Sequence, residues 1–311
     1  MSIDYLFVDS TKNVQYYRFK FRKKMNNKYY GRRCRMSLAD TIFIDMCKDI
    51  IDNGTSSKGQ KVRPRWEDGT PAHTIKKFGV ISRYDLSKEF PILTLRKIPF
   101  KSAIDEILWI WQKKSNYVKD LNSHIWDAWA DEEGSIGKAY GYQLGIKHKY
   151  QEGEFDQVDR VLYDLKHNPY SRRIMTNLYN HHDLHEMNLY PCAYSLTFNV
   201  TGDKLNGILN QRSQDILVAN GWNVCQYAIL LHMFAQVSDL KVGELIHVIA
   251  DAHIYDRHIP IVKELIQRKT YSAPKLLINK EVKDFYEFKV EDFSLEDYEH
   301  GEPVKNIPVA V

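Results

Sequence analysis

The chain has 311 residues, of which 43% are hydrophobic and 13% aromatic, enough to enclose a core and to exclude a wholly disordered polypeptide. No apolar run approaches the roughly 20 residues of a membrane helix, and the opening MSIDYLFVDSTKN lacks the charged lead, apolar stretch and small-residue cleavage site of a secretory signal. Four cysteines (Cys34, Cys47, Cys192 and Cys225) with no CxxC pair exclude a disulfide framework and a cysteine zinc site, and point to free thiols in a reducing cytoplasm.

The formal charge of +4 hides a division: residues 1–35 carry ten Lys and Arg against two Asp, a net of +8, which leaves −4 on residues 36–311. The basic residues are interleaved with tyrosine and phenylalanine (QYYRFKFRKKMNNKYYGRRCR), a composition that suits phosphate contact and base stacking. The plainer expectation is a poorly ordered basic extension, or a stretch upstream of a true start at Met36. An RNA-binding reading finds no support in the acidic remainder.

From Met36 the pattern is that of a folded domain. SLADTIFIDMCKDIIDNG predicts a helix capped by Ser37, with Asp40 three residues on and Asn53-Gly54 as its stop. Residues 55–74 read as a loop. SAIDEILWIWQKK (102–114) places Ala103, Ile104, Ile107, Leu108 and Trp111 at helical spacing. In 193–200 Tyr194, Leu196, Phe198 and Val200 alternate with Ser195, Thr197 and Asn199, a half-buried strand that TGDK turns back into a second strand ending near Gln211. NVCQYAILLHMFAQV (223–237) is apolar nearly all round and reads as a buried core helix. LIHVIA (245–250) reads as an interior strand. Helices and strands without regular alternation favour an α+β fold.

Several residues carry candidate chemistry. Cys192, between Pro191 and the alternating strand, is a candidate nucleophile if cations favour its thiolate; an inert buried cysteine is the alternative. Ser171-Arg172-Arg173 and Gln211-Arg212-Ser213 offer guanidinium forks and hydroxyls suited to phosphate, or to surface ion pairs. Glu106 lies on an apolar helix flank, where a carboxyl tends toward a raised pKa and acid–base work, unless its head simply reaches water. Asp251, His253 and Tyr255 would share one face of a strand, as a binding wall or as a hydrogen-bonded edge. Asn223 is either a helix cap or an amide able to read a ring amide through its paired donor and acceptor. HHDLH (181–185) lacks companion ligands, so no metal is expected.

YPCAY (190–194), LNQRSQD (209–215), NVCQYAILLHMFAQ (223–236) and DAHIYDRH (251–258) stand in one order and spacing. With DGTPAHT (68–74), FPILTLRKI (90–98), EILWIWQ (106–112), HIWDAWADEEGSIGKAYGYQ (124–143), DQVD (156–159), NPYSRRI (168–174), FYEFKVEDFSLEDY (285–298) and the terminal PVAV, they resemble folate-dependent, flavin-independent thymidylate synthases across residues 36–311. Residues 1–35 have no counterpart.

The resemblance implies a mixed β-sheet with packed helices and a homodimer joined through its sheets. It implies conversion of dUMP to dTMP with 5,10-methylenetetrahydrofolate as donor of carbon and hydride. Cys192 would add to uracil C6, Glu106 would manage proton transfers through water, Tyr140 would assist loss of the C5 proton, and Asp251 would stand with the catalytic group. Arg63, Arg212 and Ser213 would hold the phosphate, joined by Arg172 and Arg173 from the partner subunit, with Gln211 and Asp215 nearby. Asn223 would pair with the uracil edge, and His253 and Tyr255 with the ribose hydroxyl. Asp215 would hold the pterin beside Ile125, Trp126 and Trp129, and Val311 would close over the site.

Three departures stand out: Ala193 where the family often has His, the run Ala219-Asn220-Gly221-Trp222-Asn223 in place of Gly-x-Pro-Phe-Asn, and a longer loop that makes Arg65 a rival to Arg63. A pyrimidine hydroxymethylase on the same scaffold is the competing enzyme; Asn223 favours uracil over cytosine.

Overall fold

The computed structural model describes residues 36–310, so the basic segment 1–35 and the terminal Val311 lie outside the described residues. In chain order come α1 (Leu38–Asn53), β1 (Thr55–Ser56), β2 (Thr74–Asp85), α2 (Phe100–Trp111), α3 (Gly141–Gly145), β3 (His148–Tyr150), β4 (Gly153–Phe155), α4 (Gln157–His167) and β5 (Met175–Asn177). They are followed by β6 (Ala193–Thr201), β7 (Lys204–Asp215), α5 (Gly221–Val237), β8 (Lys241–Tyr255), α6 (Ile259–Leu265), β9 (Lys275–Ile278) and β10 (Phe293–Glu296). A five-residue π-helix, Ile216–Asn220, joins β7 directly to α5. The fold is α+β. Its six-stranded sheet runs β1-β2-β8-β7-β6-β5, antiparallel throughout except for the parallel pair β7–β8.

Local chemistry explains the elements. Ser37 Oγ accepts from the Asp40 backbone N–H at 3.0 Å and caps α1. Asp40 turns inward, where its buried carboxylate accepts from the Thr94 backbone N–H at 2.9 Å and from the Thr94 hydroxyl. That bond pins segment 90–98, which leads into α2. Helix α5 is buried nearly all round, as its composition requires, and lies against the sheet. At Gly207 a Cβ would stand 2.8 Å from the side chain of Leu231 on α5, so a larger residue here would force Leu231 to shift. Trp111 of α2 meets Tyr227 and Phe234 of α5 edge-on, with ring centroids 6.4 and 6.0 Å apart.

The strand reading needs one correction. Leu196, Phe198 and Val200 are buried and Asn199 is exposed, as alternation predicts, but Ser195 is also buried and Tyr194 only half so. A bulge between Ala193 and Ser195 breaks the two-residue period at the mouth of β6. The β6–β7 hairpin turns through Gly202-Asp203, with Gly202 at φ +64°. The expected 245–250 strand is the centre of the longer β8.

The sheet face turned away from α5 presents Thr197, Asn199, Asn206, Ile208, Glu244 and Ile246 around an open depression of about 500 Å³. Phe78, Ile81 and Met175 are exposed on the same sheet. Among the described residues no helix is long and apolar enough to cross a membrane.

Candidate active site

The parallel pair β7–β8 sets the site. Its register places Gln211 beside Ile249, Ser213 beside Asp251 and Asp215 beside His253, so two neighbouring strands deliver polar groups together. Arg212, Ser213, Asp251, His253 and Tyr255 line an open cavity of about 300 Å³ together with Val62, Pro64 and Ala72 from the loop before β2 and Thr74 at its start. Asp251, His253 and Tyr255 thus form the common wall expected from their spacing. Asp251 accepts from Lys76 Nζ at 2.6 Å and faces His253 Nδ1 at 3.0 Å, so it orients the histidine. Burial works against its charge, but these two partners lower its pKa overall.

Cys192 stands just before β6, half-buried beside this cavity's Arg212. Arg212 is fixed by three backbone carbonyl contacts at this corner. Its N–H donates to Cys192 O at 2.9 Å, its Nε to Pro191 O at 3.0 Å and its Nη2 to Tyr190 O at 2.7 Å. The same Nη2 lies 3.8 Å from Cys192 Sγ. Burial nevertheless raises the thiol pKa, and the charges of Arg212 and Arg63 with a hydrogen bond from Tyr140 only partly offset it. The condition attached to the nucleophile, that nearby cations favour its thiolate, is therefore not met at rest: desolvation outweighs the guanidinium.

Tyr140 is buried, and its hydroxyl accepts from the Cys192 backbone N–H at 3.0 Å. Its backbone sits at φ +44°, a strained conformation for a side-chain-bearing residue, just where the chain enters α3. Gly141 follows because a Cβ there would stand 2.4 Å from the Ser115 carbonyl oxygen.

Glu106, on α2, is buried, and both carboxylate oxygens are held by indoles. Trp126 Nε1 donates to Oε1 at 2.9 Å and Trp222 Nε1 to Oε2 at 2.5 Å. Burial pushes its pKa up to about 7, against the lowering effect of these bonds and of Gln226. The raised carboxyl was legible in the sequence; the second indole was not, since Trp222 is 116 residues away. Trp126 is buried and holds Glu106 through its indole N–H. It packs edge-on against Tyr140 at 5.1 Å and Trp129 at 5.7 Å, while Ile125 is exposed.

Asn223, in the first turn of α5, makes no cap bond to its own helix. Its Oδ1 accepts from Gln211 Nε2 at 3.0 Å and Gln214 Nε2 at 3.3 Å, and its Nδ2 donates to Gln226 Oε1 at 3.0 Å. Asp215 caps the π-helix, accepting at Oδ1 from Leu217 and Val218 N–H groups. Its Oδ2 faces His258 Nδ1 at 3.3 Å, an ion-pair contact without hydrogen-bond alignment. Burial opposes charge on His258, but Asp215 and the Pro308 carbonyl raise its pKa overall. His258 Nε2 donates to Pro308 O at 2.8 Å and so ties the C-terminal segment beside the site.

Arg63 is exposed, and its charge acts on both Cys192 and Tyr255. Arg172 and Arg173 are exposed, and among the described residues neither makes an ion pair. In 181–185 Asp183 turns inward to accept from Gln143 and Asn180, while His181, His182 and His185 face outward. Among the described residues no group of three or more His, Cys, Asp or Glu side chains is placed to hold a metal ion.

Comparison with known proteins gives this geometry a family. A family model described as thymidylate synthase matches residues 41–311. A thymidylate synthase of Bacillus subtilis subsp. natto is 48% identical over 272 residues, 86% of this chain and 97% of that protein. One from Bacillus phage phi3T shows the same identity and coverage. The solved thermostable thymidylate synthase A from Bacillus subtilis superposes with a TM-score of 0.83 at 46% identity, covering 88% of this chain and 99% of that one. A cysteine beside an arginine, a buried carboxyl poised near neutrality and an amide at the head of the core helix thus sit in a chain that belongs to the thymidylate synthase family.

Proposed function

We propose that the chain converts dUMP to dTMP through a covalent bond between Cys192 Sγ and uracil C6, with 5,10-methylenetetrahydrofolate supplying both the carbon and the hydride. The observation that carries this reading is the single corner holding Cys192, Arg212 and Tyr140, with Sγ 3.8 Å from the Arg212 guanidinium. Addition of sulfur to C6 moves the ring's double-bond electrons to C5 and O4, which makes C5 nucleophilic toward the folate methylene. Loss of the C5 proton then breaks the bond from the new carbon to the folate nitrogen and leaves an exocyclic methylene. Hydride from the released tetrahydrofolate adds to that carbon, giving dihydrofolate and the methyl group, as the C6–S bond breaks and the sulfur regains its proton. Because burial keeps the resting thiol protonated, the proton leaves as the bond forms, and Arg212 stabilises the developing negative charge.

Glu106, with a pKa of about 7, takes up and returns protons near neutrality. Tyr140 assists at C5. Arg212 and Ser213 hold the phosphate with Arg63, whose charge reaches Cys192; this favours Arg63 over Arg65. His253 and Tyr255 bind the ribose hydroxyl, with His253 oriented by Asp251. Asn223 reads the uracil edge: its second Nδ2 hydrogen serves O4, and the longer of its two Oδ1 bonds, from Gln214, gives way to N3–H. Asp215, Ile125, Trp126 and Trp129 form the folate side, and Val311 closes it. The exposed apolar groups Phe78, Ile81 and Ile208 support pairing of two copies through the sheet, with Arg172 and Arg173 given to the partner's phosphate site.

Incubation of the purified chain with dUMP and the folate, followed by mass spectrometry, tests the reaction. A product heavier by one methylene is expected. A hydroxymethyl product would instead support a hydroxymethylase, and unchanged dUMP would overturn the reading.

A further inference from the structure

The amide of Asn223 has nearly the same shape when turned by 180°, but its donor and acceptor exchange places. Uracil and cytosine differ by the same exchange, at N3 and at the substituent on C4. An Asn223 free to turn would therefore accept either base, and selectivity depends on what holds the amide one way round. Its three partners, Gln211, Gln214 and Gln226, are themselves amides and share the ambiguity. A chain of amides is fixed only where it ends on a group that cannot turn.

The structure has two such ends. Gln226 Nε2 donates to the Ala103 carbonyl at 3.3 Å, and a carbonyl only accepts, so Gln226 must present Oε1 to Asn223. At the other end, Gln211 Oε1 meets His247 Nε2 at 2.5 Å and also accepts from Gln214 Nε2 at 3.1 Å. Gln214 Oε1 in turn accepts from Asn220 Nδ2 at 3.1 Å.

His247 lies on β8, fully buried, and is not among the residues lining the cavity. Its Nδ1 is buried with no hydrogen-bond partner. A proton on Nδ1 would be an orphaned donor, whereas a proton on Nε2 finds Gln211, so the ring carries Nε2–H. Burial pushes the ring pKa down to about 3, which keeps it neutral across the working range. The two ends agree on one orientation for every amide between them.

We propose that His247 is a positioning residue for base selection: through Gln211 it fixes which end of the Asn223 amide faces the pyrimidine. This rests on the reading of Asn223 as the base-reading residue. The network is satisfied as a whole, so loss of its imidazole end releases Gln211 to turn and removes one of the two constraints on Asn223.

The test compares His247→Phe, His247→Met and His247→Gln with the wild type, each checked for folding by thermal unfolding. The readout is the dissociation constant of dCMP divided by that of dUMP. Replacing the imidazole by an apolar group should lower the ratio roughly five- to tenfold, the size of one net hydrogen bond. Glutamine, which offers a terminal N–H toward Gln211, should restore most of it. An unchanged ratio in a folded His247→Phe or His247→Met protein overturns the proposal, as does a His247→Gln ratio equal to that of His247→Met. If phenylalanine prevents folding, the Met and Gln pair alone decides. Failure of the wild type to bind dUMP would sink the proposed function instead, and the two failures are therefore distinct.

Discussion

Replacing Trp222 by phenylalanine removes one donor from a buried carboxylate and leaves an aromatic ring in place. Trp222 Nε1 donates to Glu106 Oε2 at 2.5 Å, and a donor of this kind favours the ionised form. A hydrogen bond to a charged group is worth about 1.5–3 kcal/mol, and one pKa unit corresponds to about 1.36 kcal/mol. Starting from about 7, the Glu106 carboxyl should therefore titrate about one to two pH units higher in Trp222→Phe. The assay is kcat/KM for dTMP formation against pH, with dUMP affinity measured alongside to show that the nucleotide still binds. The limb of the profile that reports Glu106 should move alkaline by that amount. An unmoved limb in a folded protein would refute the reasoning. An acid shift would refute it too, by showing that the indole acts chiefly to exclude water.

Cys192→Ser should abolish dTMP formation while dUMP still binds, as read by product analysis and calorimetry; sustained turnover would remove the nucleophile assignment. Arg212→Gln should raise the Cys192 thiol pKa further, because the guanidinium 3.8 Å from sulfur is the largest influence lowering it. The rate of thiol alkylation against pH checks this, and an unchanged or acid-shifted midpoint would contradict it. Glu106 also predicts a pH-dependent stability. Its folded pKa of about 7 lies above the ordinary 4.5, so its contribution is present below about 4.5 and is lost as pH rises through 7. The loss amounts to roughly 3 kcal/mol. By urea unfolding, the stability of wild type minus that of Glu106→Gln should be more positive by that amount at pH 4 than at pH 8, and parallel curves would show no linkage.

Contiguous patterns in the sequence carried a good part of this site. The apolar spacing of α2 exposed Glu106 as a carboxyl on a greasy flank, the composition of α5 marked a core helix, and the two-residue period of β8 put Asp251, His253 and Tyr255 on one wall. Features assembled from distant positions escaped. Gln211, Gln214, Asn223, Gln226 and His247 converge from two strands and a helix, and no local period links them. The state of the Cys192 thiol was left open because arginines near it can be read from a string and desolvation cannot. The bulge in β6 and the strain at Tyr140 escaped for a related reason: both arise where the chain is bent to bring Cys192 and the Tyr140 hydroxyl together.

The π-helix Ile216–Asn220 has a consequence for how this protein tolerates change in length. A wide turn advances fewer degrees per residue than an ordinary one, so it sets the rotational phase at which α5 begins. Removing a single residue here would tighten the coil and swing the first turn of α5 by something like a quarter revolution. Trp222 would leave Glu106 and Asn223 would leave Gln211 together, although every residue concerned was still present. Substitutions in this stretch should therefore be forgiven far more often than deletions.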